Sequence, residues 1–360
     1  MLLSRSPLQR LLSFLIIGVT SGLTTPLSLH SKRQTATSCT NPVIRREWRE
    51  LSDSEKQEYH RAVICLKTRP ARHYSNIPVV KTRADDFTWM HREVSDLVHE
   101  VAAFLPFHRL FLQLWEDALR SECGYTGYAP YWDWTIDADR RAIPQSPIWD
   151  SVNGFGGNGI PTGNSTRGFQ WCVPDGPYAN ITLTIGGTYP DFAIDEDVPH
   201  CLTRVFNDEA FSDVSGNGEQ GAVTEVSAQV SVGDMMSDRM DSNAIREVNA
   251  HTNYADFEEA LECGPHAGLH LAIWADMVTS YSPNEAVFYQ HHGNVDRLWT
   301  KWQQVNSTRL RDYDGWRDAG KTVRATIDNT FPVGKFFDFE PAIRDYMDTK
   351  SGTLCYEYST

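Results

Sequence analysis

The chain lacks a run of apolar residues long enough to cross a bilayer as a helix. The stretch Leu11 to Val19 is well short of the roughly 20 residues needed. An excess of positive charge is also missing. Lys and Arg number 33 against 47 Asp and Glu, a net charge of −14, which falls to −18 without Arg5, Arg10, Lys32 and Arg33 of the first 33 residues. Such a surface argues against nucleic acid or an anionic membrane as partner. No C-x-x-C occurs among the seven cysteines, so neither a zinc ribbon nor a redox dithiol is indicated. There is no H-E-x-x-H, which a zinc protease would need. Internal repeats and low-complexity tracts are absent as well.

What is there describes a globular, loop-rich protein with ample core: 41% hydrophobic residues, 24 Gly and 18 Pro. The start has the basic, apolar, small-polar order of a secretory signal peptide over residues 1–22. Lys32-Arg33 reads as a dibasic processing site, making 23–33 a propeptide and 34–360 one catalytic domain. The chain is thus expected to be secreted, with no membrane attachment after signal removal. Sequons at Asn164, Asn180 and Asn306 fit that route as glycosylation sites. In an oxidising compartment Cys39, Cys65, Cys123, Cys172, Cys201, Cys263 and Cys355 can pair, the odd count leaving one over. Spacing does not say which pair.

Helical patterns cover 43–68, 86–103, a segment opening near Pro106 and running to 120, 256–278, and 284–303. Residues 124–250 change texture to Gly, Pro, Asn and Asp with short strands such as Ile181 to Ile185. The architecture expected is mainly α, a four-helix bundle core surrounded by long loops and a few short strands. Ser52 or Ser54 caps the first helix. Two decoys are set aside. Gly154, Gly156 and Gly159 satisfy G-x-G-x-x-G, but no strand leads in and Pro161 stands where a helix should open. Asp195-Glu196-Asp197 reads as a solvated loop.

The histidines carry the chemistry. His91, His99 and His108 fall on the second and third helical patterns. His91 and His99 either share one face of a straight helix or are separated by fraying before Phe104. His266 and His270 lie one turn apart after Pro265. In the last pattern Phe288, His292, Val295 and Trp299 form one stripe, and helix geometry turns His291 about 100° from it. His292 is therefore the ligand candidate. A single i,i+4 pair of histidines is as often core as ligand, but six in two matched contexts point to two like metal ions. Nitrogen-only ligand sets with open positions favour copper, and no Glu-x-x-His pair of the di-iron kind stands beside them. Two coppers about 4 Å apart can bind dioxygen between them. Phe104, Phe107, Trp274 and Phe288 fit an apolar pocket for a planar ring. His30, His60, His73, His200 and His251 read as surface or packed residues.

FLPFHRLFLQLWEDALRSECGYTGYAPYWDW, with His91, His99 and His108 at matching spacing, resembles the first copper motif of fungal tyrosinases and catechol oxidases. PHAGLH and SPN…HHGNVDRLW resemble the second motif, and LCYEY the end of that family's catalytic core. The similarity runs over residues 39–358. It implies the type 3 copper fold with two copper ions, Cu A held by His91, His99 and His108 and Cu B by His266, His270 and His292. Dioxygen is then the co-substrate, and a small phenol, free or as peptide-bound tyrosine, is oxidised from o-diphenol or o-aminophenol to the o-quinone. Pigment or secondary-metabolite synthesis is the expected setting. The resemblance also gives Glu262 the part of a base acting through water. The Asn common after the first histidine of the second motif is Ala267 here, which argues against monophenol hydroxylation. Trp274-Ala275 replaces a usual Gly-Gly and Glu285-Ala286 a usual Asp-Pro. No cysteine precedes His99 by two residues, so a Cys–His thioether is not expected. The long form's C-terminal lid has no counterpart. The rival reading is a non-catalytic, hemocyanin-like binder of dioxygen or metal.

Overall fold

The structure, a computed structural model, describes residues 39–360 except 166–167, 188–196, 209–230, 338 and 353. The signal peptide, the propeptide and His30 lie outside the described residues, as do Asp195 and Glu196.

The first pattern begins with strand β1 (Val43–Arg45) and a single 3-10 turn; helix α1 (Asp53–Leu66) follows. Ser52 is its cap: its hydroxyl accepts from the Glu55 N–H while Glu55 reaches back to the Ser52 backbone, satisfying two orphaned donors at once. Helix α2 (Arg83–Val98) opens on the same device, Thr82 with Asp85. It ends where His99 turns extended (φ −118, ψ 147), so His91 and His99 do not share one straight helix. Helix α3 (Phe104–Cys123) starts two residues before Pro106. The proline stays in the first turn, where its missing N–H costs nothing, and His108 falls in the second turn rather than the first. Gly124, at φ 70, closes α3 in the left-handed conformation that suits a residue without Cβ.

The middle of the chain holds short helix α4 (Thr135–Ala138), the antiparallel pairs β2 (Ile160–Ser165) with β3 (Gly168–Cys172) and β4 (Thr182–Leu183) with β5 (His200–Cys201), and helix α5 (Ser242–Asn249). The strand expected over 181–185 is thus only two residues long, and α5 was not legible in a polar segment. The pattern over 256–278 divides. Helix α6 (Tyr254–Leu261) passes through a π-turn, Glu262–His266, kinked at Gly264, into α7 (Ala267–Ile273). Helix α8 (Phe288–Gln304) is buried on nearly all sides. Strand β6 (Tyr356–Tyr358) returns to pair in parallel with β1.

The bundle is tied by buried charge. Arg109 on α3 donates to Asp296 on α8 (2.6 Å), to the carbonyls of Tyr346 and Met347, to Thr300 and to Gln303. Its guanidinium also lies over Trp299. Every donor is satisfied, the condition under which a buried guanidinium is tolerated. Asp296 further accepts from the Tyr356 hydroxyl (2.5 Å), linking β6 to the same node. Gly293 lets α8 lie against Pro130 and Tyr131, where a Cβ would come within 3.0 Å of the Tyr131 Cβ. Disulfides join Cys39 to Cys355, Cys65 to Cys123 and Cys172 to Cys201, leaving Cys263 reduced and exposed.

The glycine-rich decoy has a structural use. The carbonyls of Phe155, Gly156 and Gly157 accept from Arg204 (2.9, 2.6 and 3.0 Å), which also pairs with buried Glu285. The loop therefore cradles a cation with its carbonyls rather than a phosphate with its amides. The acidic run is not wholly solvated, because Asp197 pairs with Arg92 and accepts from the Gly186 N–H.

Candidate metal centre

The fold brings two groups of imidazoles together: His91, His99 and His108 in one, and His266, His270, His291 and His292 in the other. Within each, the possible ligand atoms lie within 4.8 Å of one another. His91 leaves α2, His99 sits in the extended turn after it, and His108 projects from α3. His266 ends the π-turn, His270 follows one turn later on α7, and His292 comes from the start of α8. The Arg109–Asp296 pair fixes the sequence neighbour of His108 against the residue one turn beyond His292. Their rings accordingly stack at 4.2 Å and 9°, bringing the two groups into contact.

Five of the rings are aimed by the backbone. Nδ1 of His91 donates to the Ser280 carbonyl (2.7 Å), His99 to Ser95 (3.0 Å), His108 to Phe104 (2.9 Å), His266 to Glu262 (3.0 Å) and His270 to Met277. A carbonyl only accepts, so Nδ1 carries the proton and Nε2 is left with a bare lone pair, the arrangement that orients metal-binding histidines. The Nε2 atoms of His91 and His108 then stand 3.5 Å apart, and those of His270 and His292 3.4 Å apart. Between His91 and His108, whose Nδ1 protons are both committed to carbonyls, two Nε2 lone pairs at that distance repel unless a cation lies between them. His266 Nε2 is buried with no hydrogen-bond partner among the described residues. On these observations the residues fit two metal ions with nitrogen ligands.

Burial reinforces this. It pushes the pKa of His91, His108, His266, His291 and His292 well below the ordinary imidazole value, with neighbouring imidazoles adding to the shift. His99 is lowered by burial too, and His270 falls to about 4. Neutral imidazole is the ligand form, so protons compete poorly here at neutral pH.

Phe104 stands between the groups, 4.7 Å from the His108 ring and 4.6 Å from His266; Phe288 lies 4.1 Å from His292 and 5.3 Å from His91. Both are fully buried, as is Phe107, so these aromatics wall the centre. His99, Gly264, Ala267 and His270 are only partly buried, and Glu100 and Cys263 are exposed. The partly buried and exposed residues of the centre are thus those of the His99–Glu100 turn and the start of α7.

Glu262 lies beside the His99–Glu100 turn. Both its oxygens accept from the Glu100 N–H (2.9 and 3.0 Å), across the junction of the two groups. Burial raises its pKa to about 7, against the opposing pull of hydrogen bonds from Glu258 and Glu100. Trp274 and Ala275 follow α7 with φ of 56 and 52, so the replacement of Gly-Gly keeps a left-handed backbone without the residue that favours it. Helix geometry alone set His291 aside, yet its ring lies 4.9 Å from His270 and 5.3 Å from His266. The signal was the His-His pair itself, on a helix with almost no exposed side. Of the sequons, Asn180 and Asn306 are exposed, and the Asn164 side chain lies outside the described residues. His60, His73 and His200 are packed elsewhere: His60 against the Tyr178 hydroxyl, His73 on Phe336, and His200 on Asp276.

Residues 81–305 match the family model described as the common central domain of tyrosinase. The chain is similar to Tyrosinase-like protein phomQ2 of Diaporthe leptostromiformis, with 37% identity covering 93% of this chain and 78% of that one. It is also similar to Tyrosinase ustQ of Aspergillus flavus, at 37% over 95% and 87%. N-acetyl-6-hydroxytryptophan oxidase ivoB of Emericella nidulans is 29% identical over 88% and 92%. Among solved structures, a variant polyphenol oxidase from Thermothelomyces thermophila superposes with a TM-score of 0.71, at 26% identity over 89% of each chain.

Proposed function

This chain belongs to the tyrosinase family, and from that premise we propose that it is a secreted, glycosylated dicopper oxidase that converts o-diphenols or o-aminophenols to o-quinones with dioxygen. Membership makes it a type 3 copper oxidoreductase acting on phenols. Within this proposal His91, His99 and His108 hold one copper, His266, His270 and His292 the other, and Glu262 is the base. The observation that carries the reading is the set of five Nδ1–carbonyl bonds that turn Nε2 lone pairs inward from two facing groups.

Bound copper supplies the dioxygen chemistry, taking two electrons from each diphenol so that two diphenols and one dioxygen give two quinones and two waters. The chain supplies the rest. Phe104 and Phe288 exclude water from around the imidazoles, which strengthens the electrostatics inside. In this reading a planar ring enters edge-on beside His99, Ala267 and His270, which are only partly buried. Glu262, near neutrality in its pKa, is matched to taking a phenolic proton through water at pH 7. Ala267 offers no polar atom to help hold that water, which supports diphenol oxidation over hydroxylation of monophenols. The name of the Emericella nidulans relative supports a substrate ring carried on an N-acylated amino acid, such as a peptide-bound tyrosine derivative.

The test is oxygen uptake by the copper-loaded protein offered catechol, then tyrosine and N-acetyltyrosine, with His292→Ala as control. Uptake on catechol and not on the monophenols, lost in the variant, supports the reading. Uptake on all three overturns the Ala267 argument. Reversible oxygen binding with no turnover of any phenol returns the chain to the carrier reading.

A further inference from the structure

The turn that aims His270 is strained and is held by the segment after β5. Trp274 and Ala275 carry φ of 56 and 52, a left-handed backbone that costs side-chain-bearing residues free energy unless the surroundings fix it. Val205 and Asn207 donate their N–H groups to the Ile273 and Ala272 carbonyls. Asp276 accepts at Oδ2 from the Thr203 N–H and hydroxyl (2.8 and 2.7 Å), and its Oδ1 meets Nε2 of His200 at 3.3 Å. The next residue, Met277, presents its carbonyl to Nδ1 of His270.

The side chain of His200 is fully buried. Its Nδ1 lies 2.8 Å from the Val198 carbonyl, to which it can only donate. A ring with no further proton would turn a bare Nε2 lone pair on a buried carboxylate. A second proton therefore lies between Nε2 and Oδ1, and it belongs to the imidazole, the stronger base. Burial opposes that charge, but Asp276, the Val198 carbonyl and Asp197 outweigh it and raise the pKa of His200. Lys67 at the end of α1 and Tyr281 also face Asp276, and Arg92 pairs with Asp197. Tyr281, pushed up to about 12 by burial, stays neutral.

We propose that His200 is a positioning residue for the second metal site, an imidazolium clamp that holds the Ala275–Val278 turn and, through it, the Met277 carbonyl on His270. The proposal rests on the dicopper reading but not on the choice of phenol. Because the folded value is raised, the clamp is complete below about pH 6.5 and is lost as pH rises through the raised value. The second site therefore loosens on the alkaline side, whereas protonation of the ligands themselves loosens it only in acid.

Imidazole nitrogen resonances of the reduced copper(I) protein, which is diamagnetic, give the protonation of His200, identified by the signal missing from His200→Gln. Chelator competition from about pH 6 to 9 gives the copper affinity of both proteins. Glutamine donates to Asp276 at any pH, so the variant is the untitrated reference, and the titrations of the chelator and of Lys67 cancel in the ratio. His200 should be doubly protonated at neutral pH. As it titrates, one of the two coppers of the native protein should fall behind the reference by about 10–100-fold, the other staying level. His200→Leu, which leaves Oδ1 without this donor, should hold that copper weakly at every pH. A singly protonated His200 at neutral pH, a ratio that does not move with pH, or full affinity in His200→Leu overturns the proposal and leaves the dicopper reading standing. A native protein that binds no copper at any pH overturns the dicopper reading and this proposal with it.

Discussion

The turn after α7 allows a stability prediction whose sign runs against the ordinary rule. Trp274 sits at φ 56, ψ −164, a region occupied almost only by glycine and costing another residue about 1–3 kcal/mol. Its side chain is nearly buried against Val205 and Ala275, with Trp171, Leu271 and Val278 alongside. Removing such an indole costs about 3–5 kcal/mol. Trp274→Ala loses the packing and keeps the strain, so it should destabilise by nearly the full amount. Trp274→Gly loses the same packing and releases the strain. The released strain of about 1–3 kcal/mol, less glycine's extra unfolded-chain entropy of about 0.5–1 kcal/mol, should leave the glycine variant the more stable by about 0.5–2 kcal/mol. For a domain of this size each kcal/mol shifts Tm by roughly 2–4 °C, and the gap is measured on the metal-free proteins with disulfides intact. An alanine variant equal to or more stable than the glycine variant refutes the account of this turn. The turn matters to the site because Met277, whose N–H bonds to the Trp274 carbonyl, supplies the carbonyl that aims His270.

Other outcomes follow from the same geometry. Glu262→Gln should leave copper content unchanged while lowering kcat on catechol by about 10² or more; unaltered kcat removes Glu262 from the reaction. Cys39→Ser opens the link between residues 316 apart in sequence, and the loop-entropy estimate puts the loss at about 5–6 kcal/mol, read as the shift in a denaturant midpoint. Burial depresses the pKa of His60 to about 4, below its unfolded value. Its contribution is therefore complete above pH ~6.5 and is lost as pH falls toward 4. Acid titration of the copper-loaded protein should show stability declining over that window, and His60→Phe should make the decline shallower by one proton's share while the other buried imidazoles keep the rest.

The two histidine groups were largely legible because their members recur at helical spacing inside apolar segments. His99 was placed correctly only as one of two alternatives: the helix ends at Val98 because His99 turns extended, and propensity does not mark that residue. His291 lies beside the second group although helix geometry turns it from His292, because 100° per residue describes Cα positions, whereas an imidazole reaches far enough to approach its neighbours' rings. The kink at Gly264 and the π-turn were hidden in what reads as one helical pattern. Helix α5 was missed since Ser242–Asn249 buries only Val248, leaving little apolar period to see. Glu285 looked like a change near the pocket; its carboxylate instead neutralises buried Arg204, a pairing between residues 81 apart that no local pattern reveals.

The most direct test of the central claim is copper analysis joined to oxygen uptake on the same sample of the unmodified protein. The account requires two coppers per chain and uptake of one dioxygen for every two catechols oxidised. Fewer than two coppers at saturation, or two coppers with no oxygen consumed on any o-diphenol or o-aminophenol, would contradict it.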